Sequence, residues 1–441
     1  MKIYSMYSRK IQGFNHIFEP TLDLYRAAVD FFIDVCLKEW EIITAQKTAL
    51  DRNNQVERLT IRTKGRPEVP YDFGRDFYKF PAYLRRAAIS QAIGKVSSYR
   101  SNLERCEREH LPRPSRPQAG YVYPVMYRGS SYKQTGRYTA QIKVFIRNTW
   151  DWIDISLRKS DIDYALHHCA DRKECVPVLM RRGKEWFLDF SYEEMTELAQ
   201  KPVEEQTVLA VDLGLNSACT LAAMKADGTV VGRKFLRLPA EYDCLGHAIG
   251  RIKKAQQRGN RRTPRLWAAA KGINERIAVL TAQFIMAAAA ELNADVIVFE
   301  HLEVRGKKRG SKKQKLHMWR ASYVQSMVMN KAHRRGLRVS RVNAWGTSRL
   351  AYDGSGRVLR GKEAELPSYS VCLFPNGKQY NCDLNAAYNI GARYFLREIE
   401  KSLPATVRLE AAAKVPRLSR RSTCTLSDLI NLNAVLTQSC A

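Results

Sequence analysis

The chain reads as an α+β protein of several domains, with a helical block inserted into a β domain and an RNase H-like α/β layer after it. Three observations carry that reading. Apolar residues recur at helical spacing over 21–49 and about 81–109, the period drops to two between 119 and about 195, and beyond Glu204 the order becomes β-hairpin, helix, strand, helix, strand, helix. With 441 residues, the chain is long enough for two or three domains and a sizeable core.

In the first helix Tyr25, Ala28, Val29, Phe32, Val35, Cys36 and Trp40 share a stripe, and Thr21, following Pro20, is the expected N-cap. Leu84, Ala88, Ala92, Val96, Tyr99 and Leu103 form the apolar face of the second helix, and Arg85, Arg86, Lys95 and Arg100 project elsewhere. For any one of these cations a solvated face is the plain reading; together they suit a nucleic-acid backbone. The proline-rich run 111–117 ends this helix.

The β domain follows. Tyr138, Ala140, Ile142, Val144 and Ile146 alternate with Thr139, Gln141, Lys143 and Phe145, Trp150–Leu157 comes next, and Val176–Met180 and Trp186–Phe190 flank a turn at 181–184. This predicts an antiparallel sheet or small barrel, to which residues 2–10 supply another strand. Then come a strand at Thr207–Val211, hairpin strands at Ser217–Met224 and Val230–Phe235, and a helical region over 241–292, interrupted near 258–264. A strand at Ala294–Phe299, a basic glycine-interrupted loop at 305–315, a helix at 316–334 and a strand at Leu337–Val342 complete the layer. No repeat is evident, and the tail 399–441 offers no legible chemistry.

Lys and Arg number 73 against 44 Asp and Glu, a surplus of 29 with a pI near 9.8, which predicts a polyanionic partner. The ten cysteines sit mostly singly inside apolar or helical patterns, so a reducing, cytoplasmic setting is expected. Neither a signal peptide nor a run able to span a bilayer is legible, and the longest apolar run, Phe284–Ala290, is short and Ala-rich. His167-His-Cys169 and Cys175 imitate a metal site without a second ligand cluster, and Tyr71-Asp-Phe-Gly74 imitates a kinase triplet without that enzyme's other motifs.

Three acids, far apart in sequence, stand where divalent-metal chemistry needs them. Asp212 ends the apolar strand in Val208-Leu-Ala-Val-Asp-Leu-Gly-Leu-Asn216, Glu300 ends Val296-Ile-Val-Phe, and Asp383 opens the helix Asp383-Leu-Asn-Ala-Ala-Tyr-Asn-Ile390. A carboxylate in apolar surroundings is costly unless a cation neutralises it, and Mg²⁺ favours such hard oxygen ligands. Gly214 permits a sharp turn beside Asp212, and Asn216 and Ser217 are placed to bond phosphate or metal-bound water. Glu303, past the strand end, and Asp295, at its other end, are poorer candidates than Glu300. A strand-end turn or a helix cap would explain each acid alone, but a cap at Asp383 leaves Asn385 and Asn389 without a reason.

These segments, their order, Trp319 and the stretch Lys331-Ala-His-Arg-Arg-Gly-Leu-Arg-Val-Ser-Arg-Val342 with Gly346-Thr-Ser-Arg349 resemble the RuvC domain of TnpB proteins and compact type V CRISPR effectors, over roughly the C-terminal half. The resemblance implies an RNA-guided DNA endonuclease in which Asp212, Glu300 and Asp383 are the catalytic triad and the ligands of two Mg²⁺ ions, with Asn385 orienting a ligand from behind. It implies a β-barrel wedge domain over 1–18 and 119–205, a helical recognition domain over 19–118, a RuvC-like domain over 206–345 and 382–398, a degenerate zinc-finger-like segment over 346–381 and a tail over 399–441. Guide RNA and target DNA are the implied partners, with no membrane, in a monomer or homodimer. Arg85, Arg86, Lys95 and Arg100 are expected on the backbone, and Lys307, Lys308, Arg309, Lys312 and Lys313 on the strand entering the cleft.

One departure stands out. The family carries two Cys-x-x-Cys pairs between the second and third acids, but this chain has Leu350 and Asp353 at the first and Leu373 and Asn376 near the second, so no zinc is expected. A guided binder that does not cut, acting as repressor or recruiter, is the alternative. A guide-independent transposase or resolvase is a third reading.

Overall fold

A computed structural model of the chain describes residues 1–13, 16–214, 217–260, 262–302, 320–366, 368 and 370–440. The chain divides into two compact units, Lys2–Met195 and a second made of Met1 with Thr196–Ala441. The stretch 196–205 clusters with the second unit. The connecting stretch is wired to the second unit, since Thr196 exchanges backbone bonds with Met1 and the Ala199 N–H reaches the Gly336 carbonyl.

In the first unit, strand β1 (Lys2–Gln12) is followed by helices α1 (Glu19–Lys38), α2 (Trp40–Thr44), α3 (Ala49–Thr60), α4 (Phe73–Asp76) and α5 (Ala82–Arg108). Strands β2 (Tyr132–Gln134), β3 (Thr139–Ile146) and β4 (Thr149–Leu157), helix α6 (Lys159–Cys169) and strands β5 (Lys173–Glu174), β6 (Val178–Arg182) and β7 (Glu185–Met195) complete it. The sheet runs β2-β3-β4-β1-β7-β5, with β6 also on β7, and its pairings are antiparallel. Residues 2–10 supply a strand as expected, and the helices form an insertion in a β domain.

Three local expectations fail. The helical stretch 21–49 breaks after Lys38. Thr21 is not the cap: α1 starts at Glu19, and the Thr21 hydroxyl accepts the Phe145 N–H at 2.7 Å, joining helix to sheet. The period-two region conceals α6, whose Ile162, Ala165 and Cys169 are buried at helical spacing.

In the second unit, strands β8 (Thr207–Asp212), β9 (Cys219–Lys225) and β10 (Val230–Leu236) precede helices α7 (Pro239–Gln257) and α8 (Pro264–Glu291). Strand β11 (Val296–His301), helix α9 (Ala321–Arg334) and strand β12 (Arg338–Asn343) follow, then the short strands β13 (Leu359–Arg360), β14 (Val371–Leu373) and β15 (Gln379–Asn381). Helices α10 (Cys382–Ser402), α11 (Ala405–Lys414) and α12 (Leu426–Cys440) end the chain. The main sheet runs β10-β9-β8-β11-β12, with β8, β11 and β12 parallel. Because β8 and β11 are covered on both sides, they read as continuous apolar runs. Leu209, Val211, Ile297 and Phe299 face a core shared with α8 and α9, and Val208, Ala210, Val296 and Val298 face one shared with α10. At Gly391 an added Cβ would lie 3.4 Å from the Ala210 Cβ and 3.3 Å from the Met224 sulfur, so glycine lets α10 sit close on the sheet.

The stretch 399–441 is not a separate tail. Leu418, Cys424, Leu426, Leu429 and Leu432 complete the core over α10, and the Asn433 amide donates to the Ala226 carbonyl at 2.9 Å. Among the described residues, no helix is long and apolar enough to cross a membrane.

Candidate active site

Strand register and side-chain parity bring two of the three acids together. Phe299 pairs with Val211 across the parallel β8–β11 ladder, so Glu300 and Asp212 follow at one level on neighbouring strands, which lie about 4.8 Å apart. Both continue the even-numbered series that faces α10. Asp383 lies in the first turn of that helix, which the Asn381 side chain caps by accepting the Leu384 N–H. Gly214 and Ser217 approach closely after β8, since a Cβ at Gly214 would lie 2.6 Å from the Ser217 carbonyl oxygen. The Ser217 hydroxyl donates to Asp383 Oδ2 at 3.2 Å. Asn216, Glu303 and Trp319 lie outside the described residues.

The three carboxyls share one electrostatic neighbourhood. Asp212 is held well above the usual carboxylate range, first by burial of its carboxyl and then by repulsion from Glu300 and Asp383, with Arg360 pulling the other way. Glu300, 8% exposed, is also raised by burial; a hydrogen bond from Thr347 and the charge of Arg393 oppose this. Among the described residues, however, no three His, Cys, Asp or Glu side chains stand as a metal-ready cluster. The donor chemistry fits a hard divalent cation: oxygens on strand ends and a helix start, carrying negative charge that Arg360 and Arg393 only partly offset.

Helix α10 supplies residues whose roles the sequence reading left open. Asn385, Asn389, Arg393 and Arg397 recur every fourth position, forming a polar stripe on a largely buried helix. Asn385 and Asn389 each donate to the Leu350 carbonyl, at 2.9 and 2.8 Å, and Asn385 accepts the Tyr352 N–H at 2.8 Å. Asn389 also donates to the Thr347 carbonyl at 2.9 Å. Asn385 therefore supports the loop bearing Thr347, which bonds Glu300, rather than touching a carboxylate. Arg393 is 5% exposed; its Nη1 donates to the Asn343 and Trp345 carbonyls at 2.9 and 2.7 Å, and its Nε to Cys424 at 3.0 Å. Burial lowers its pKa to about 10. Arg360, on β13, donates to the Cys382 sulfur at 3.0 Å beside Asp383. The four-residue spacing was the available signal for Asn389 and Arg393; Thr347 lay within the Gly346-Thr-Ser-Arg349 stretch without a role of its own, and Arg360 carried no signal.

The segment 346–381 folds around a small apolar centre. Ala351, Val358, Cys372, Phe374 and Cys382 are buried together against Tyr352 and Tyr380, and β13-β14-β15 form an antiparallel sheet. Asp353 and Asn376, at two of the four positions where thiolates were sought, bond to each other at 3.0 Å. Lys378 donates to the Tyr352 hydroxyl at 2.6 Å.

Of the cations expected to touch nucleic acid, Arg85 pairs with Glu57 at 3.0 Å, and Arg86 bonds Asn54 at 2.8 Å and Glu57 at 3.4 Å. Much of their charge is thus used within the fold. Lys95 is half-buried, and the Arg100 Nε is buried without a partner. Lys307, Lys308, Arg309, Lys312 and Lys313 lie outside the described residues. His167, His168 and Cys169 end α6, with the His168 ring against Tyr164.

The fold of the chain is similar to that of a Cas12f1 protein. The fold matches the protein in a cryo-EM structure of the Cas12f1-sgRNA-target DNA complex, at 13% identity and a TM-score of 0.52, covering 85% of this chain and 81% of that one. A weaker overlap is to AacC2c1 in its sgRNA binary complex, at 10% identity, a TM-score of 0.38 and coverage of 84% and 65%. The likeness reaches the compact type V fold, not TnpB in particular. The chain itself belongs to the Aq_aa04 family, whose profile matches residues 5–146. Protein aq_aa04 of Aquifex aeolicus (strain VF5) is 30% identical over 131 residues, 26% of this chain and 74% of that protein.

Proposed function

We propose that this protein is an RNA-guided DNA endonuclease that cuts at Asp212, Glu300 and Asp383 with two Mg²⁺ ions. The observation that carries the proposal is the pair Asp212 and Glu300, raised by burial at one level of neighbouring parallel strands, with Asp383 close enough to Asp212 to repel it. Asp212, Glu300 and Asp383 are the residues that would hold the ions, with Asp212, flanked by both other acids, the one that would be shared. Bound Mg²⁺ supplies an activated water and stabilisation of the leaving 3′ oxygen. The chain's own residues prepare the site: Thr347 fixes Glu300, Ser217 fixes Asp383, and Arg360 offers positive charge beside Asp212. The surplus of 29 positive charges suits a guide RNA and its target duplex, held by their backbones while the protein reads a short adjacent motif. The segment 346–381 needs no zinc in this reading, and the working unit is a monomer or homodimer.

A guided binder that does not cut is the second reading. What favours it is that the three acids do not stand as a ready ligand set among the described residues. The separating experiment is cleavage of a guide-matched plasmid in Mg²⁺, with Asp212→Ala as control. Cutting lost in the variant supports the nuclease; guide-dependent binding without a nick by the unaltered protein supports the binder. Structured RNA co-purifying with the protein supports guidance, and cutting that needs no RNA overturns it.

A further inference from the structure

We infer that Trp345 is a stacking platform for a base of the DNA strand that enters the carboxylate site; the identity of the strand rests on the nuclease reading above. Trp345 is 62% exposed, in the turn that leaves β12. Burying an indole in a core stabilises a fold substantially, so an indole left in water contributes little to folding.

The turn nonetheless holds it firmly. Its N–H donates to Asn343 Oδ1 at 2.8 Å, and its carbonyl accepts from the buried Arg393 at 2.7 Å. Two residues on, the Thr347 hydroxyl bonds both the Ala344 carbonyl, at 3.1 Å, and Glu300. The turn that fixes a proposed catalytic carboxylate therefore also anchors the backbone that carries the indole.

The surroundings select a base over a protein partner. A groove of about 480 Å³ adjoins the turn, lined by His301, Leu302, Arg341 and Val342–Ala344. Arg341 and Arg349 are exposed on either side of Trp345 in sequence. The exposed large apolar side chains nearest to it in sequence, Tyr323 at 39% and Leu359 at 40%, are much less exposed than Trp345. A protein interface needs a contiguous patch of hundreds of Å². One flat aromatic among cations suits a stacked base whose phosphates meet the arginines.

The test uses full-length protein carrying its guide, with Trp345→Ala and Trp345→Phe. Single-stranded DNA with 2-aminopurine placed at each position in turn reports stacking directly. We expect one position to be quenched by the unaltered protein, quenching to be lost in Trp345→Ala and kept in Trp345→Phe, and strand affinity to fall roughly tenfold in the alanine variant. On cleavage, KM should rise by a similar factor with kcat nearly unchanged. Equal quenching and equal affinity in the alanine variant overturn the platform while leaving the nuclease reading intact. An unaltered protein that quenches at one position through Trp345 yet never cuts overturns the nuclease and keeps the platform. Should the alanine variant melt early, the phenylalanine variant still decides, since loss of quenching there with normal melting also overturns the inference.

Discussion

At Asp212 and Glu300 the sheet keeps two carboxyls whose ionisation burial opposes and nearby cations only partly offset. The neighbouring segment 346–381 lacks the thiolates sought in its turns and joins them by Asp353 to Asn376, over Phe374, Tyr352 and Tyr380. One region thus buries acidic side chains with few cations beside them, and the other packs an apolar centre closed by a polar contact. The contrast teaches that a segment without thiolates can be held by a small side-chain core, whereas buried carboxyls on the main sheet carry an electrostatic cost that packing does not relieve.

The sharpest way to break the comparison is at the charged end. Asp212→Ala should lower cleavage by about 10³-fold or more while guide-dependent DNA binding persists, measured as single-turnover rate and affinity together. At the neutral end, Phe374→Ala should cost roughly 3 kcal/mol and raise amide hydrogen exchange across 350–381, leaving β8 and β11 protected. A zinc-selective chelator should leave that exchange unchanged in the unaltered protein; exchange that rises with chelation would show a metal-held segment.

A smaller effect sharpens the charge argument. The folded carboxyl of Asp212 lies above its unfolded value, so the unfolded state ionises first as pH rises. Its stabilising share is present below the unfolded pKa, near 4, and is lost as pH climbs through the raised folded value. In Mg²⁺-free buffer Asp212→Asn should therefore melt higher than the unaltered protein at pH 8, by roughly 2–4 °C for each kcal/mol relieved, and the gap should close toward pH 4. Saturating Mg²⁺ should abolish or reverse it.

The smallest effect belongs to the clip. Asp353→Ala should cost about 1 kcal/mol. Burial works against the Asp353 charge, but Ser355 and Asn376 hydrogen bonds and the Lys378 charge outweigh it and keep the carboxyl below its ordinary range. Its contribution is present above the unfolded pKa and fades as pH falls through the lower folded value, opposite in sign to Asp212. A fluorescence melt across pH 2–8 distinguishes the two carboxyls.

What was legible in the chain followed from burial. Strands β8 and β11 are covered on both faces, so they stood out as apolar runs, and a carboxylate ending each was conspicuous. The start of α10 was legible from Asp383 and its asparagines. Arg360 was not, because a guanidinium on a two-residue strand has no periodicity to mark it, and Thr347 was legible only as part of Gly346-Thr-Ser-Arg349, not as the partner of Glu300. The helix α6 was hidden because its apolar spacing is brief and set within alternating strands. Residues 399–441 looked idle because leucines that cover a distant helix carry no chemical signature.

The polar stripe along α10 has a practical corollary. Asn389 accepts the Leu426 N–H at 3.3 Å, and Arg393 donates to the Cys424 carbonyl, so the same two side chains that steady the turn behind Glu300 are also tethered to the last helix. Trimming the gene after codon 398, or splicing a cargo domain there, would remove these tethers and slacken the turn behind Glu300; a fusion joined beyond residue 440 would spare them.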